Sequence, residues 1–171
     1  MGDVDVRMLI LYATKYGAAE EIAKRIAENT SNAEIHNLKQ NDIPKLSAFD
    51  CVIIGSSLYA GMIRKEAKAF LSKNADELHK IASCEKKVGL FLSGIDVDPE
   101  KEKTYFETNF SSDLLQLAKV KTFLGGIYDP KKAGFAERFI YKLATKQSTY
   151  ADKIDNDKIV QFAKDMEREN K

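Results

Sequence analysis

The feature that most restricts the fold of this chain is an abrupt change of pattern after its first apolar run. The run Arg7–Tyr12 predicts a β-strand, which ends before Thr14, and the chain then turns within a few residues through Gly17. Helical spacing follows, with Ile22 and Ala23 on the apolar face. In a parallel α/β protein, such a junction brings unpaired backbone N–H groups and the positive end of a helix to the carboxyl edge of the sheet. We therefore predict a phosphate-binding turn here.

Apolar runs and helical patterns alternate along most of the chain. The runs predict five strands: Arg7–Tyr12, Ala33–Leu38, Asp50–Gly55, Lys87–Leu92 and Lys121–Ile127. Further helices are predicted over Ile63–Ser72 with a continuation to Ala82, over Lys101–Lys119 and over Asp155–Arg168. This alternation indicates the α/β class, with a five-stranded parallel sheet between two helical layers as a three-layer sandwich. We predict the strand order 2-1-3-4-5, a common doubly wound arrangement, which brings loops 13–19, 56–61 and 93–98 to one crevice.

Length, charge and cysteine content narrow the functional classes. The 171 residues predict a single domain, with residues 1–7 as a possible extension and residues 128–152 as a basic insert before the last helix. The formal charge of +1, with basic residues spread along the chain, gives no reason to expect nucleic acid binding. We expect a cytoplasmic protein, because the sequence shows neither a secretory signal nor an apolar run long enough to span a bilayer. The two cysteines predict neither a metal site nor a disulfide framework.

The chemistry of the first turn fits a monophosphate. It lacks both the nucleoside-triphosphate motif G-x-x-x-x-G-K-[ST] and the dinucleotide motif G-x-G-x-x-G. It retains one hydroxyl, one flexible glycine and a helix start with unpaired amides, in the residues Thr14, Lys15, Tyr16, Gly17, Ala18 and Ala19. Backbone and hydroxyl donors of this kind suit a terminal monophosphate. An ordinary strand-to-helix turn with Thr14 as the N-cap residue is the alternative that this segment alone leaves open.

The same segment resembles the phosphate-loop signature of the flavodoxin family. Tyr12, Thr14, Gly17 and Ala23 match the family pattern of an aromatic residue, a hydroxyl residue, a small residue and an alanine. The resemblance implies a flavodoxin-like fold that binds flavin mononucleotide (FMN) through its phosphate at this turn. Ala19 departs from the pattern, because it stands where the family has a second phosphate-binding hydroxyl; its loss removes a contact worth about 1 kcal/mol.

The resemblance also assigns roles to the other two crevice loops. It implies that the second loop lies along the isoalloxazine ring, with contacts from Ser56, Ser57, Leu58, Tyr59, Ala60 and Gly61. Tyr59 would stack on the flavin, or else is an ordinary surface aromatic residue. The third loop would offer backbone amides to the polar edge of the ring from Ser93, Gly94, Ile95 and Asp96. Asp96 is a candidate base, or else a cap of the following helix.

A narrower resemblance concerns residues 121–168. The segments around Gly125-Gly126 and Phe135–Lys142 are similar to the menaquinone-dependent protoporphyrinogen oxidases, flavodoxin-fold proteins with an inserted segment before the last helix. This similarity implies that electrons pass from a reduced porphyrinogen-like substrate through FMN to a quinone. The polar loop at residues 146–152 lacks the Gly- and Asp-bearing pattern of that family, which affects the choice of substrate rather than the flavin.

Within the insert, basic residues accompany an apolar helical stripe. The basic residues are Lys131, Lys132, Arg138, Lys142 and Lys146, and the stripe contains Phe135, Phe139, Ile140 and Leu143. We predict that Arg138 and Lys142 bind substrate carboxylates. Two alternatives remain open: contact with an anionic membrane surface near quinone, and a packed helix with a solvated basic face.

The sequence therefore predicts an FMN-dependent oxidoreductase in which the flavin is the reactive group and no side chain is required as a catalyst. The expected partners are a small reduced substrate and a quinone or a redox protein, and membrane contact is at most peripheral, at the inner face of the cell membrane. Two rival functions are an electron carrier of the flavodoxin type and a module that has lost FMN. The sequence leaves the oligomeric state open.

Overall fold

A computed structural model describes residues 5–95 and 98–168 of the protein. Its strands are β1 (Met8–Ala13), β2 (Ala33–Asn37), β3 (Cys51–Tyr59), β4 (Met62–Ile63), β5 (Lys87–Ser93), β6 (Val120–Phe123), β7 (Ile127–Tyr128) and β8 (Ala151–Asp152). Five of them form a parallel sheet in the order β2-β1-β3-β5-β6. This is the predicted order 2-1-3-4-5, which is confirmed. The short β4 adds a sixth strand, antiparallel to the end of β3.

Helices cover both faces of the sheet and complete the predicted three layers. They are α1 (Ala18–Glu28), α2 (Lys65–Lys73), α3 (Ala75–Ser83), α4 (Glu102–Asn109), α5 (Ser112–Leu117), α6 (Phe135–Thr145) and α7 (Asn156–Glu167). Helices α1 and α7 pack on one face of the sheet, and α2 to α5 contribute to the core on the other face. Among the described helices, none combines the length and the apolar character needed to cross a membrane.

The two cores follow from the alternation of side chains along the central strands. In β1, Leu9 and Leu11 enter the core beneath α2 to α5, whereas Met8 and Ile10 enter the core beneath α1 and α7. Successive residues of a strand point to opposite faces, so a strand buried on both sides must be apolar throughout. The apolar runs of the sequence therefore identified the central strands correctly.

The structure corrects the predicted end of the third strand. We predicted that the strand would end at Gly55 and that residues 56–61 would form a loop. Instead, Ser56 and Ser57 continue β3, where they pair with Leu92 and Ser93 of β5. The second crevice segment is therefore largely strand, and its position is set by the sheet.

Other predicted boundaries also change. The helix expected from Ile63 begins at Lys65 because Ile63 belongs to β4. The single helix expected over 101–119 is divided between α4 and α5, since the Ser111 side chain accepts a hydrogen bond from the Leu114 N–H (3.3 Å) and starts a new helix. The fifth strand, expected to reach Ile127, ends at Phe123, and Ile127 pairs instead in the two-stranded β7–β8 sheet.

Candidate cofactor site

The turn between β1 and α1 has the geometry of an anion site. Gly17 is the N-cap residue of α1 and has a φ of 99°, a left-handed conformation that side chains disfavour. Its N–H donates to Thr14 Oγ1 (2.9 Å), so Thr14 closes the turn from within. The alternative in which Thr14 itself caps the helix is therefore wrong.

The first turn of α1 keeps its backbone donors available. The N–H groups of Ala18, Ala19 and Glu20 have no backbone or side-chain acceptor among the described residues. Such groups, together with the positive end of the helix dipole, favour a bound anion. The Ala19 side chain is fully buried in the core beneath α1 and α7. The backbone, rather than a side chain, supplies the donors at this position.

Two serines at the end of β3 have structural roles. Ser57 Oγ accepts a hydrogen bond from the Lys15 N–H (3.2 Å), which joins the second crevice segment to the first turn. Ser56 Oγ accepts from the Arg64 N–H (2.9 Å) and donates to the Ser57 carbonyl oxygen (3.0 Å). Both serines are buried. Their hydroxyls connect the end of β3 to the first turn and to the start of α2.

A tight hairpin presents Tyr59 at the crevice. Ala60 and Gly61 have φ values of 51° and 76°, as in a two-residue type I′ turn between β3 and β4. The Asn109 side chain clamps this hairpin: Nδ2 donates to the Gly61 carbonyl oxygen (2.9 Å), and Oδ1 accepts from the Ile63 N–H (2.8 Å). No periodic pattern indicates Asn109, whose hydrogen bonds reach partners 46 and 48 positions away in the chain.

The Tyr59 ring lies beside the turn between β1 and α1, which we call the phosphate turn after its predicted ligand. Tyr59 is 48% exposed, and Lys15 Nζ lies 3.7 Å from the centroid of its ring. Lys15 Nζ also lies 4.9 Å from the centroid of the Tyr16 ring. A cation over an aromatic face is an attractive arrangement. Tyr59 and the first turn are thus adjacent, whereas Leu58 is half-buried and packs against the core.

The third crevice loop begins with a buried hydroxyl. Ser93 is fully buried, and its Oγ has no hydrogen-bond partner in the described part of the chain. The Gly94 N–H, which we predicted to face the flavin, donates instead to the Gly125 carbonyl oxygen (3.0 Å). Ile95 is half-buried. Asp96, the candidate base, lies outside the described residues.

Gly126 allows this loop and the insert to meet. A Cβ atom at Gly126 would lie 2.6 Å from the Gly94 carbonyl oxygen, closer than side chains tolerate. On the other side, the Gly126 carbonyl oxygen accepts a hydrogen bond from the Lys153 N–H (2.8 Å). The Gly125-Gly126 pair, just before the insert, therefore contacts the third loop on one side and Lys153, just after the insert, on the other.

Helix α6 contacts the phosphate turn through Glu137, a residue that sequence reasoning missed. The Glu137 carboxylate accepts hydrogen bonds from Lys15 Nζ, Tyr16 OH and the Gly134 N–H. Partial burial opposes ionisation of Glu137, but these donors together outweigh it and lower its pKa from 4.5 to about 2. The hydrogen bond to Glu137 raises the pKa of Lys15 to about 12. Lys132 Nζ adds a contact to the Tyr16 carbonyl oxygen (3.4 Å).

The two predicted substrate residues lie on the same helix. Arg138 and Lys142 are exposed, and their side chains form no hydrogen bond or ion pair with any residue in 5–95 or 98–168. They follow Glu137 by one and five positions, so they are carried by the helix that Glu137 fixes to the phosphate turn. Their charges are free to interact with a ligand.

Most of the chain matches a known protein family. Residues 9–155 match the family described as the flavodoxin domain. The chain belongs to the flavodoxin family. This membership supports FMN as the cofactor, and the residues at this edge of the sheet fit that assignment. They include an exposed aromatic ring at Tyr59, and the amides of the first turn and the buried Ser93 hydroxyl have no partner within residues 5–95 and 98–168.

Several known proteins are similar to this flavodoxin-family chain. Protoporphyrinogen IX dehydrogenase (quinone) of Escherichia coli strain K12 is 23% identical over 147 residues, which cover 84% of this chain and 81% of the relative. A short-chain flavodoxin associated with a bacterial microcompartment has a TM-score of 0.61 at 17% identity, over 94% of this chain and 96% of that one. Oxidised flavodoxin 2 of Bacillus cereus has a TM-score of 0.58 at 23% identity, over 94% and 97%. The two structures establish the likeness of fold.

Proposed function

We propose that this protein is an FMN-dependent oxidoreductase that takes hydrogen from a reduced substrate and passes electrons to a quinone. The observation that carries the proposal is the set of N–H groups at Ala18, Ala19 and Glu20, which lie at the positive end of α1 and have no acceptor in the described part of the chain. An anionic group is the natural ligand of such a set. Ring-binding candidates, Tyr59 and Ser93, adjoin it at the same edge of the sheet.

Each crevice segment has a proposed role toward FMN. The first turn of α1 would donate hydrogen bonds to the phosphate, with the Thr14 hydroxyl beside it. Tyr59 would provide an apolar surface for the ring, and Ser93 Oγ would donate or accept at its polar side. When bound, FMN supplies the exchange of electrons and hydrogen at its ring. The side chains bind and orient the groups, and none is assigned as an acid or a base.

The choice of substrate rests on similarity and on charge. The Escherichia coli relative is named for protoporphyrinogen IX and a quinone. A porphyrinogen carries carboxylates, and Arg138 and Lys142 are cations without partners in the described residues. Arginine is well suited to carboxylates because its planar group donates two parallel hydrogen bonds. We propose that these two residues bind the substrate's carboxylates at the mouth of the crevice.

A quinone acceptor would be dissolved in a membrane, which has a consequence for location. We propose a cytoplasmic protein that meets the inner face of the cell membrane peripherally. An electron carrier that docks with redox proteins is the second candidate function. It differs from the enzyme in one respect that can be measured, because a carrier does not turn over a porphyrinogen.

Two experiments test the proposal in sequence. Purified protein is expected to be yellow and to release FMN on denaturation; colourless protein that takes up no added FMN contradicts both candidate functions. The FMN-loaded protein is then assayed with protoporphyrinogen IX and a menaquinone analogue. Turnover above the uncatalysed rate supports the enzyme, and its absence in FMN-loaded protein leaves the carrier.

A matched pair of variants tests the substrate residues. The double substitution Arg138→Gln and Lys142→Gln is expected to raise KM for the porphyrinogen about ten-fold or more, because two charge-assisted contacts are lost. FMN content should stay unchanged. The control is Lys158→Gln with Lys164→Gln on α7, which removes the same charge from exposed positions of a different helix. Equal kinetics for the two double variants would exclude Arg138 and Lys142 from substrate binding.

A further inference from the structure

Helix α6 carries a continuous apolar face that is exposed. Its large apolar side chains are 83% (Phe135), 60% (Phe139), 64% (Ile140) and 67% (Leu143) exposed. With 3.6 residues per turn, these four positions span an arc of roughly 140° on one side of the helix. Scattered apolar residues are common on protein surfaces, but a cluster of this kind indicates an interaction site.

The orientation of this face is fixed by the opposite side of the helix. Tyr141 is buried, and its ring stacks on that of Tyr128 in β7 with the centroids 3.5 Å apart. Glu137 contacts Lys15 and Tyr16 of the phosphate turn. These contacts hold the inner side of α6 against the protein. The four exposed residues face outward because they lie on the opposite side of the helix.

The surroundings of the apolar face are strongly basic. Residues 131–146 contain five basic residues against one acid, a net charge of +4, so the rest of the chain carries −3 of the total +1. The single acid, Glu137, is paired with Lys15. The five basic residues are exposed: Lys131, Lys132, Arg138, Lys142 and Lys146. The positive charge of the protein is therefore concentrated in the segment that carries the apolar face.

We propose that the outer face of α6 is a membrane-binding surface that lies in the headgroup region of an anionic phospholipid bilayer. An apolar stripe flanked by lysine and arginine is the pattern of an interfacial helix, in which the stripe enters the acyl boundary and the cations meet lipid phosphates. At 11 residues, α6 is about 17 Å long, too short to span the bilayer but sufficient to lie on it.

Charge favours the lipid over a second copy of this chain. A two-fold contact between two such faces would bring the basic residues of one copy against those of the other, and like charges repel. An anionic surface neutralises the same residues. This inference deepens the proposed function, since it names the surface that would meet a quinone-bearing membrane. Its test measures binding alone, so failure of the redox proposal would leave it standing.

The experiment is sedimentation of the FMN-loaded protein with vesicles of equal parts phosphatidylglycerol and phosphatidylcholine. Wild-type protein should sediment with these vesicles at low salt, and less with vesicles of phosphatidylcholine alone or at high salt, which screens charges. Protein that stays in the supernatant under all these conditions overturns the proposal. So does equal binding to anionic and neutral vesicles.

Two double variants separate the apolar and electrostatic contributions. Phe139→Ser with Leu143→Ser should reduce the partition coefficient at least ten-fold, because the inserted side chains are lost. Lys131→Gln with Lys146→Gln should reduce it about 25-fold at low salt, or about five-fold for each charge removed. Flavin absorbance of each variant checks that the fold is intact.

The matched controls remove the same kinds of side chain, exposed lysines and an exposed apolar residue, from other parts of the surface. Lys158→Gln with Lys164→Gln removes two exposed charges from α7, and Met62→Ser removes an exposed apolar side chain from β4. Both controls should sediment like the wild type. If the controls reduce binding as much as the α6 variants, the surface is not α6. A concentration-dependent dimer of the wild type that disappears in the Phe139→Ser, Leu143→Ser variant would assign the face to a second copy and overturn the lipid assignment.

Discussion

The carboxylate of Glu137 on α6 accepts a hydrogen bond from the ammonium group of Lys15 in the phosphate turn, across 122 positions of the chain. The hydroxyl of Tyr16 donates to the same carboxylate. The insert before the last helix is therefore attached directly to the turn that has the candidate phosphate donors. A substitution at Glu137 should therefore alter the turn that contains Lys15, and a substitution at Lys15 should alter the attachment of α6.

We predict that Glu137→Gln weakens the attachment of α6. The amide keeps the shape of the side chain but loses the charge that stabilises both Lys15 and the Gly134 N–H contact. The expected loss is about 1–2 kcal/mol in the free energy of unfolding, together with faster amide hydrogen exchange in α6. Denaturant unfolding and hydrogen exchange measure the two effects.

The control for this prediction is Glu107→Gln on α4. Glu107 pairs with Lys103 at 3.7 Å, and both side chains are more than half exposed. Removal of such a pair should change the free energy of unfolding by less than about 0.5 kcal/mol. If Glu137→Gln costs no more than Glu107→Gln and leaves hydrogen exchange in α6 unchanged, the contact is not what holds the helix.

The contribution of this ion pair should depend on pH in two defined ranges. The pKa of Glu137 is lowered from 4.5 to about 2, so its contribution is fully present above about pH 4.5 and is lost as the pH falls through 2. The pKa of Lys15 is raised from 10.5 to about 12, so its contribution is fully present below about pH 10.5 and is lost as the pH rises through 12.

The measurement is the difference in unfolding free energy between the wild type and Glu137→Gln as a function of pH. The difference should be constant from about pH 5 to 9 and should decline between pH 4.5 and 3. A difference that keeps its neutral value at pH 3 would show that ionisation of Glu137 does not contribute.

The sheet could be predicted from the sequence because its central strands are buried on both faces. Ile53 and Ile54 enter opposite cores, so the run that contains them has to be apolar, and runs of this kind mark strands directly. The turn at Gly17 could also be predicted, since a left-handed backbone position between a strand and a helix favours glycine. Once the strands are known, the rules for connecting parallel strands predict the strand order and the edge of the sheet at which the three loops meet.

The contacts that shape the crevice could not be predicted in this way. Ser56 and Ser57 were predicted to lie in a loop because they are polar. Their hydroxyls instead accept hydrogen bonds from backbone N–H groups, and β3 continues through both residues. Glu137 and Asn109 act on segments far away in sequence through single hydrogen-bonding groups. Such contacts leave no periodic pattern, because periodicity reports which face is apolar and not which polar group lies opposite.

We predict that Asn109→Ala loosens the hairpin that carries Tyr59. The amide side chain of Asn109 contacts Ile63, Gly61 and Tyr105, with distances of 2.8 to 2.9 Å. Its removal should cost about 2–3 kcal/mol in the free energy of unfolding and weaken FMN binding several-fold. Asn29→Ala is the control, since within residues 5–95 and 98–168 the Asn29 side chain makes only the equivalent hydrogen bond to the carbonyl oxygen four positions earlier. The measurements are thermal unfolding and FMN titration. Equal stability and equal affinity for FMN in the two variants would contradict the prediction.

We predict that Gly126→Ala separates the third crevice loop from the Gly125-Gly126 segment that precedes the insert. The new Cβ would lie 2.6 Å from the Gly94 carbonyl oxygen and 2.8 Å from its carbonyl carbon, so the backbone at this contact would have to move. The expected destabilisation is about 2–4 kcal/mol, measured by denaturant unfolding. Gly134→Ala is the matched control, because a Cβ there has the Glu137 carboxylate at 3.8 Å as its nearest contact. Equal stability of the two variants would mean that the close approach at Gly126 is not required.

We predict that Thr14→Val weakens FMN binding while the fold is retained. Valine has nearly the same shape as threonine, but it removes the acceptor of the Gly17 N–H and the hydroxyl beside the unpaired amides of α1. The loss of one or two hydrogen bonds should raise the Kd for FMN about ten-fold. Thr30→Val removes a hydroxyl beyond the other end of α1, where it donates to the Ala27 carbonyl oxygen, and should leave the Kd unchanged. Quenching of flavin fluorescence measures both constants, and identical values for the two variants would remove Thr14 from the phosphate site.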